Sequence, residues 1–520
     1  MKRLSIEMGH KPEQSLIDKM GEYLAADRRL SWLGPLREKF PSAEWYLVGG
    51  GVRDLLMGRE GRIKDYDMVV RRASLDELTS VLEKAGRVDL VGRNFGVLKF
   101  TPDGLPAGDE AVDIAWPRTE QAGMSGGYRD FQVQADADLP IEKDLARRDF
   151  TVNAIAYDFA SRRLVDPHGG LRDIEERRLR AVGDPTERFR EDYSRMLRAL
   201  RQACQLGFDI EPRTWEALRQ LMPHLDDKRV ATTPRGEIKE RVVPHETVAK
   251  ELVKALAHDP RRALELFERS GALFRIMPEL APLVGCEQPR NHHSEGDVWT
   301  HTKLAIDKLT GPGFAEMFPG EKPTVETVLA VLLHDVAKPQ TRGADENGKI
   351  NFYGHAEQGA RIAQGLAEHW RLASAAGFDI DAERLGWLVN MHMVPHLLDL
   401  KTVRKTTLSK HFLEQPGLGR ELLHVAYADA AATIPENGEP DLSRLSELMA
   451  VLKEMEGTFA QDKKKPAKLL SGKEVMEIAH VDEGPAVGAL LEALKEAQFN
   501  HQVASVEEAR QLIQELAKKK

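Results

Sequence analysis

Two aspartates separated by one residue, Asp65 and Asp67, stand in the stretch RIKDYDMVV at residues 62–70. Because side chains alternate along a strand, both carboxylates point to the same face, where like charges repel. Asp113, in AVDIAW, supplies a third carboxylate on another apolar strand. Acids that converge in this way are costly to bury without cations, and Mg²⁺ fits because it prefers carboxylate oxygens and keeps positions for substrate phosphates. The alternative is a set of exposed acids on a sheet edge.

A glycine triplet just upstream points to a phosphate. Gly49, Gly50 and Gly51 lie between an apolar strand and a helix start in WYLVGGGVRDLL. Such a turn lets the backbone approach a phosphate, whose charge meets the amide groups at the helix start. Arg53, one turn further on, can reach the same phosphates. A tight structural turn and a surface arginine are the alternatives, but the carboxylates that follow favour a nucleotide site.

A third polar pattern lies on a predicted helix in EDYSRMLRALRQACQLGF. Asp192, Arg195, Arg198 and Gln202 recur at three- and four-residue spacing and therefore share one face. Leu197, Leu200 and Cys204 fall on another face and are predicted to enter the core. The polar face is either a solvated face with ordinary ion pairs or a set of acceptors and rigid donor forks that matches the edges of bases.

Histidine and aspartate also gather in the second half of the chain. The adjacent pair His334 and Asp335 follows an apolar helix in VLAVLLHDVAKP, and other candidates stand at the ends of further predicted helices. This arrangement is typical of a metal site in a helical bundle, although any single histidine is more often structural. The other candidate ligands are His301, His355, His392, His396 and Asp429.

Composition limits the class of protein. The chain has 520 residues, 42% hydrophobic and 30% charged, which is ordinary for a globular protein with two to four domains. Its formal net charge of −9 argues against an indiscriminate polyanion binder but leaves room for a local basic cleft. Two cysteines, Cys204 and Cys286, are too few for a disulfide framework, so a reducing cytoplasm is expected. No stretch approaches the apolar length of a membrane span.

The elements that position these residues change character along the chain. Short apolar strands alternate with helices from Trp45 to about Asp158, and helical periodicity prevails from about Leu171. We therefore expect an α+β protein with a small mixed head followed by helical domains. The predicted segments are an N-terminal helical extension at 1–44, the head at 45–160, a helical neck and body at 161–280, a histidine-rich helical domain at 281–460 and a helical tail at 461–520.

Five motifs in order resemble a known family. They are similar to the bacterial (class II) branch of tRNA nucleotidyltransferases and poly(A) polymerases: LVGGGVRDLLMG followed by KDYDMVV, then VDIAWPRTE, DLARRDFTVNAIAYD, DPHGGLRDIEERRLRAV and the helix EDYSRMLRALRQACQLGF. The resemblance implies addition of C, C and A to tRNA 3′ ends from CTP and ATP. In that reaction the RNA 3′-hydroxyl attacks the α-phosphate and pyrophosphate leaves.

The resemblance also implies roles for individual residues. Asp65 and Asp67 would hold Mg²⁺, with Asp113 acting as a base or metal contact near the RNA 3′-hydroxyl. The residues expected to bind the nucleotide are Gly50, Arg53, Arg148, Asp192, Arg195 and Arg198. Within this set, Asp192 and Arg195 would select the base, with Glu191 positioning them. Arg147 is either solvated or paired with Asp144, and Asn153 lies on the ribose side or in a buried hydrogen-bond network.

The histidine-rich half resembles the HD phosphohydrolase family. That resemblance implies a second divalent or transition metal held by His301, His334, Asp335 and Asp429. His355 and His392 would be additional ligands or phosphate contacts. Phosphatase or cyclic phosphodiesterase activity would follow, and a structural helical body with a vestigial site is the alternative.

Several functions stay open at the level of sequence. A poly(A) polymerase shares the head motifs, although the chain lacks the long basic tail of bacterial poly(A) polymerases. Enzymes that add only CC or only A are a second alternative; the retained segment RTEQAGMSGGYRDFQ favours full addition. A phosphohydrolase with an RNA-binding head belongs to a different class, and it predicts that Asp65 or Asp67 is dispensable. The sequence leaves the oligomeric state open.

Overall fold

A computed structural model describes residues 14–63, 66–91, 97–105, 111–122, 127, 131–233, 236–375, 377–461, 469–499 and 502–518. The chain divides into two compact units, Met1–Ile276 and Met277–Lys520. Asp65, most of the loop at 123–130 and the lysine run at 463–465 lie outside the described residues. The domain boundaries predicted inside each unit stay predictions.

A mixed sheet forms the head of the first unit. Its strand order is β3-β4-β5-β2-β1-β8-β9, with β2 and β5 parallel and the other pairs antiparallel. The sheet continues to Val165, slightly past the predicted end of the head. The strands are β1 (Glu44–Val48), β2 (Tyr66–Arg71), β3 (Gly86–Val91), β4 (Val97–Pro102), β5 (Val112–Ala115), the separate hairpin β6 (Arg118–Ala122) and β7 (Phe131–Ala135), β8 (Ala156–Asp158) and β9 (Arg163–Val165).

Helices precede, connect and follow these strands. They are α1 (Gln14–Ala26), α2 (Leu33–Lys39), α3 (Gly50–Leu56), α4 (Leu75–Leu82), α5 (Ile141–Ala146), α6 (Gly170–Glu175), α7 (Pro185–Glu191), α8 (Ser194–Leu206), α9 (Pro212–Leu221), α10 (His245–His258), α11 (Pro260–Ser270) and α12 (Leu273–Ile276). The described part of the N-terminal extension is mostly helical, in α1 and α2.

Short strand pairs interrupt the helical region of the first unit. β10 (Arg178–Leu179) pairs with β11 (Asp209–Ile210), and β12 (Lys228–Thr233) forms a hairpin with β13 (Gly236–Arg241). The hairpin falls in the segment RVATTPRGEIKER, where β-branched residues favour a strand over the helix that surrounding periodicity predicts. The fold remains a mixed head followed by mostly helical structure.

The second unit is helical. Its helices are α13 (Val298–Leu309), α14 (Pro312–Met317), α15 (Val325–Leu333), α16 (Lys338–Thr341), α17 (His355–His369), α18 (Ala382–Met391), α19 (Val394–Leu397), α20 (Lys405–Leu408), α21 (Pro416–Ala432), α22 (Ser443–Gln461), α23 (Gly472–Ala479), α24 (Pro485–Phe499) and α25 (Val506–Lys518), with one small pair of strands, β14 (Gly343–Ala344) and β15 (Ile350–Asn351). Within the described ranges, no helix is both long enough and apolar enough to cross a membrane.

Candidate active site and candidate metal centre

A cavity of about 550 Å³ lies in the first unit, against the sheet face that carries Asp67. The glycine turn, the strands β2 and β5, the segment around Arg148 and the helix α8 all contribute to its wall. The head and neck residues predicted from the sequence to bind metal or nucleotide, and described by the structure, all line this one cavity: Gly50, Arg53, Asp67, Asp113, Arg148, Asp192, Arg195 and Arg198. The structure therefore brings together residues that are up to 148 positions apart in the sequence.

Two carboxylates lie side by side on adjacent parallel strands of the cavity wall. Asp67 of β2 and Asp113 of β5 are direct partners in the strand register. The residues on either side of Asp67 are almost fully buried, so the alternation of the strand turns its carboxylate outward. Two hard oxygen donors at the same level suit Mg²⁺. The residues present thus fit the ion that the sequence predicts, with Asp65 outside the described residues.

Lys99 is a site residue that the sequence analysis missed. It is the partner of Asp113 on the antiparallel strand β4, and its Nζ lies 3.8 Å from Oδ1 of Asp113. The alternation of VLKFTP, with Leu98 and Phe100 buried, is the signal that places Lys99 on the polar face. Its ammonium group compensates part of the negative charge of the two carboxylates.

Gly49 shows why the turn needs glycine. Its φ of 77° is positive, a backbone conformation that residues other than glycine seldom adopt. A Cβ at this position would lie 3.0 Å from Nη1 of Arg148 and 3.4 Å from Oδ2 of Asp67. The turn therefore passes directly beside a guanidinium group and a carboxylate of the site, and Gly50 follows as the first residue of α3.

The guanidinium groups of the cavity are held by buried acids. Arg147 pairs with Asp144 at 2.7 Å, which is the second of the two alternatives left open for it, and Arg148 contacts the other oxygen of Asp144 at 3.3 Å. Although burial opposes it, these two arginines lower the pKa of Asp144, which is fully buried. Arg148 is thereby oriented while its Nη1 remains beside Gly49.

Arg53 and Arg198 are joined through a buried polar network. Nη1 of Arg53 donates to Oδ1 of Asn153 at 2.6 Å, and Nδ2 of Asn153 donates to Asp149 at 3.1 Å and to Gln202 at 3.0 Å. Arg198 donates to Oδ2 of Asp149 at 2.6 Å and 3.0 Å. Asn153 therefore belongs to a buried network. Asp149, which the sequence analysis did not select, is its central acceptor.

The polar face of α8 reaches the same cavity. Asp192 precedes the helix, accepts a hydrogen bond from the backbone N–H of Ser194 at 2.9 Å, and has its pKa raised by burial. Arg195 pairs with Glu191 and donates to the carbonyl oxygen of Arg188 at 3.0 Å. The predicted core face is confirmed, since Leu197, Leu200 and Cys204 are buried.

The histidines and aspartates of the second unit converge in one buried cluster. Nε2 of His301 lies 3.1 Å from Oδ1 of Asp429, and Nε2 of His334 lies 3.2 Å from Oδ2 of Asp335. Oδ1 of Asp335 lies 3.5 Å from Nε2 of His355. The apolar helices α13, α15 and α21 carry or precede four of these groups, and His355 starts α17. The structure thus assembles the six predicted residues, with His392 as the sixth.

Hydrogen bonds fix the tautomers of three of these histidines. Nδ1 of His334, His355 and His392 lies 2.7–2.8 Å from the backbone carbonyl oxygens of Val331, Phe352 and Val389, respectively. A carbonyl oxygen only accepts, so each Nδ1 donates its proton to that oxygen, and each Nε2 is directed inward, where it can offer a lone pair to a cation. Burial, followed by the neighbouring His334, lowers the pKa of His392 to about 3, which keeps its ring neutral.

The inward-directed Nε2 atoms and carboxylate oxygens lie close together, in an arrangement that suits a cation. Nε2 of His355 and Nε2 of His392 are 3.2 Å apart, an arrangement in which two lone pairs oppose each other. Burial lowers the pKa of His301, yet the carboxylates of Asp429 and Glu295 outweigh it and raise the value to about 9. Imidazole and carboxylate donors in this arrangement suit a transition metal or another divalent cation. The donor set therefore fits the metal centre that the sequence predicts.

Three further residues complete the surroundings of this centre. Glu295 accepts from Nδ1 of His301 at 2.8 Å, so it holds the ring with Nε2 directed inward. Nε2 of His396, which the sequence analysis noted without selecting, lies 3.2 Å from Oδ2 of Asp429. Nζ of Lys338 lies 2.7 Å from Oδ2 of Asp335. Glu295 stands six residues before His301 in EGDVWTH, a spacing with no helical or strand signal.

Fold and sites together define a nucleotidyltransferase with a second, histidine-rich candidate metal centre. Residues 45–180 match the family model "Poly A polymerase head domain", and residues 307–433 match "HD domain". His301 stands just before the second match. The Bacillus stearothermophilus CCA-adding enzyme in complex with CTP has a similar fold, with a TM-score of 0.57 at 21% identity over 98% of this chain and 99% of that one.

Relatives identify the family. A CC-adding tRNA nucleotidyltransferase from Thermus thermophilus is 34% identical over 89% of this chain and 91% of its own length. An A-adding tRNA nucleotidyltransferase from Deinococcus radiodurans is 33% identical over 91% and 95%, respectively. A multifunctional CCA protein from Halorhodospira halophila is 33% identical over 74% and 83%. The chain belongs to the tRNA nucleotidyltransferase family.

Proposed function

We propose that this chain adds C, C and A in turn to tRNA 3′ ends, using CTP and ATP and releasing pyrophosphate. The observation that carries the proposal is the single cavity in which two carboxylates, several arginines and the polar face of α8 meet. The arginines suit the triphosphate, the carboxylates suit the reacting 3′-hydroxyl of the terminal ribose, and the polar face of α8 suits the base.

The head residues divide the chemistry between them. Arg148 and Arg53 bind the triphosphate, with Gly49 and Gly50 giving it room to approach the backbone. Asp67 and Asp113, together with Asp65, would hold Mg²⁺, which when bound lowers the charge on the phosphates and favours attack by the 3′-hydroxyl. Lys99 balances the charge of Asp113. Positioning and electrostatics of this kind provide most of the rate of phosphoryl-type transfers.

Base selection is assigned to the neck. Asp192 offers acceptor oxygens and Arg195 offers a rigid donor fork, and both line the cavity. The ion pair between Arg195 and Glu191 fixes the fork. A hydrogen-bonding site rejects the wrong base because mismatched polar groups stay unpaired. Arg198, held by Asp149, contributes to nucleotide binding from the same helix.

Partial addition and poly(A) synthesis are the alternatives, since two relatives carry names for CC addition and A addition. We propose full addition because the segment RTEQAGMSGGYRDFQ is retained, although residues 123–126 and 128–130 lie outside the described residues. The test uses three tRNA transcripts that end before CCA, after C and after CC, each with CTP, ATP or both. Full addition extends all three to CCA and stops there. Products that stop at CC, an A added only to the CC transcript, or long A tails would each overturn it.

We further propose that the second unit is a metal-dependent phosphohydrolase. The observation that favours it is the inward direction of Nε2 on His334, His355 and His392, with His355 and His392 facing each other. His301, His334, Asp335 and Asp429 would hold one cation. Asp335, His355 and His392 would hold a second, because Asp335 offers a separate oxygen to each group.

Single substitutions separate the two activities. Extension of tRNA and hydrolysis of a 2′,3′-cyclic nucleotide or p-nitrophenyl phosphate are measured on the same preparations. Asp67→Ala should abolish extension and keep hydrolysis, whereas His334→Ala should do the reverse. Full extension by Asp67→Ala would contradict the polymerase assignment. Hydrolysis that is absent from the metal-loaded protein, or equal in His334→Ala, would contradict the phosphohydrolase.

A further inference from the structure

The described part of the N-terminal extension packs on the sheet face opposite the cavity. Trp32 makes edge-to-face contacts with Trp45 of β1 and Phe100 of β4, at centroid distances of 5.8 Å and 5.0 Å. Ile17, Met20 and Leu24 of α1 are buried. The extension is therefore a back layer of the head, so contacts from it can act on the strands that carry the site.

Its most specific contact reaches Tyr66 of β2, which stands in the sequence between the predicted metal ligands Asp65 and Asp67. The hydroxyl of Tyr66 donates to Oδ2 of Asp27 at 2.6 Å. Tyr66 is 1% exposed, and strand alternation directs it to the face opposite Asp67. A hydrogen bond from a buried hydroxyl to a carboxylate is of the strong, charge-assisted kind, and it fixes the ring relative to the extension.

Arg29 locks the same contact from a second side. Its guanidinium group donates to Asp27, with an Nη2–Oδ2 distance of 2.7 Å, and lies 4.5 Å from the centroid of the Tyr66 ring. Its Nη1 also donates to the carbonyl oxygen of Ile63 at 3.2 Å. One arginine therefore touches the chain on both sides of the predicted ligand Asp65, at Ile63 and at Tyr66. Tyr23 adds a bond from its hydroxyl to the carbonyl oxygen of Glu60 at 3.3 Å.

We propose that Asp27 and Arg29 are positioning residues for the metal-binding aspartate of β2, Asp67, acting through Tyr66. The inference rests on the proposed function, in which Asp67 holds Mg²⁺. Asp27 and Arg29 touch neither nucleotide nor metal. They fix the height and direction of β2 against the back layer, so that the carboxylate of Asp67 stays level with that of Asp113 on β5. The carboxylates of Asp67 and Asp113, on adjacent strands, repel each other. A strand held only by its sheet partners would therefore move away from the geometry that binds the metal.

The test removes the contact without removing the ring. Tyr66→Phe deletes the hydroxyl and keeps the aromatic contact with Arg29, and Asp27→Asn removes the charge. Tyr157→Phe is the matched control, because Tyr157 is equally buried on β8, which lies on the other side of β1 from β2, and its hydroxyl also faces the extension, beside Gly21. For each variant the rate of CTP addition to tRNA is measured as a function of Mg²⁺ concentration. The Mn²⁺ that binds only when CTP is added, without tRNA, is measured by electron paramagnetic resonance, which separates the head site from the cations of the second unit.

Tyr66→Phe and Asp27→Asn should raise the half-saturating Mg²⁺ concentration at least about fivefold and weaken Mn²⁺ binding by a similar factor. Excess Mg²⁺ should restore the rate, and Tyr157→Phe should match wild type. Two results overturn the inference: metal dependence within twofold of wild type, or a lower rate that excess Mg²⁺ does not restore, which would indicate a purely structural contact. Failure of the proposed function looks different, because wild-type protein would then add no nucleotide at any Mg²⁺ concentration.

Discussion

Asp67 and Asp113 are direct partners on the parallel strands β2 and β5, which puts both carboxylates at the same level on the cavity wall. Lys99 stands opposite Asp113 on the next strand. Three consecutive strands therefore present an acid, an acid and a base side by side. The negative charge of the two acids is stabilised when a divalent cation binds between them together with the phosphates of a nucleotide.

Replacement of either carboxylate should remove nucleotide addition. We expect Asp67→Asn and Asp113→Asn each to lower the rate of CTP addition at least about 100-fold, since each amide loses the charge that a divalent cation needs. The rate is measured in single-turnover extension of labelled tRNA. Asp89→Asn, an exposed acid of β3 paired with Arg87, is the control and should extend at the wild-type rate. A variant of Asp67 that extends normally would contradict the site.

The fork of Arg195 should decide which nucleotide is accepted. We expect Arg195→Ala to lower the preference for CTP over UTP about tenfold or more, because the wrong base no longer leaves a buried donor unpaired. The measurement is the ratio of kcat/KM for the two nucleotides on tRNA lacking CCA. Arg190→Ala, which removes an exposed arginine paired with Glu187 on α7, should keep the wild-type ratio. An unchanged ratio in Arg195→Ala would place base selection elsewhere.

How much of this arrangement the sequence predicts depends on whether a contact is local. The glycine turn, the alternation of β2 and the two faces of α8 are short-range patterns, so the residues they carry were predicted with their correct faces. Asp149 was missed because its partners, Arg198 and Gln202, lie about fifty residues away. Asp27 was missed for the same reason, because its partner Tyr66 lies 39 residues further along the chain. Glu295 was missed because it precedes α13 in irregular backbone. Such backbone gives no periodic signal that would predict its contact with the ring of His301.

Acid should weaken the first unit through Asp149. Although burial opposes it, the Arg198 guanidinium holds the pKa of Asp149 well below its usual range. A folded-state pKa below the unfolded value of about 3.9 means that the stabilisation is fully present above that pH and is lost as the pH falls further. We expect Asp149→Asn to lower the free energy of unfolding by about 1–3 kcal/mol at pH 7.

The difference between Asp149→Asn and wild type should then shrink below about pH 4, where the Asp149 carboxyl of the unfolded wild-type chain begins to take up a proton while the folded one stays charged. Urea unfolding followed by a fluorophore placed in the first unit measures both values. Asp158→Asn, an acid whose contacts are with exposed residues of its own turn, is the control for loss of one negative charge. A difference that stays constant between pH 7 and pH 3 would show that Asp149 contributes through shape rather than charge.

The second unit should bind two cations per chain. Metal content measured by mass spectrometry after loading with Mn²⁺ or Zn²⁺ in the absence of nucleotide, which the head site needs, should approach two, and His392→Ala should reduce it to one because the pair His355–His392 is broken. His334→Ala should lower the content as well and abolish hydrolysis. His369→Ala, at the far end of α17 from His355, is the control. Equal metal content in His392→Ala and wild type would contradict the second cation.

The central claim is that the head adds a defined CCA sequence. The most direct measurement counts nucleotides incorporated per tRNA lacking CCA, with CTP and ATP carrying different labels and Mg²⁺ present. We expect two C and one A per tRNA, with incorporation ending there however long the reaction runs. Incorporation of C alone, of A alone, of A without limit, or of neither nucleotide would contradict it.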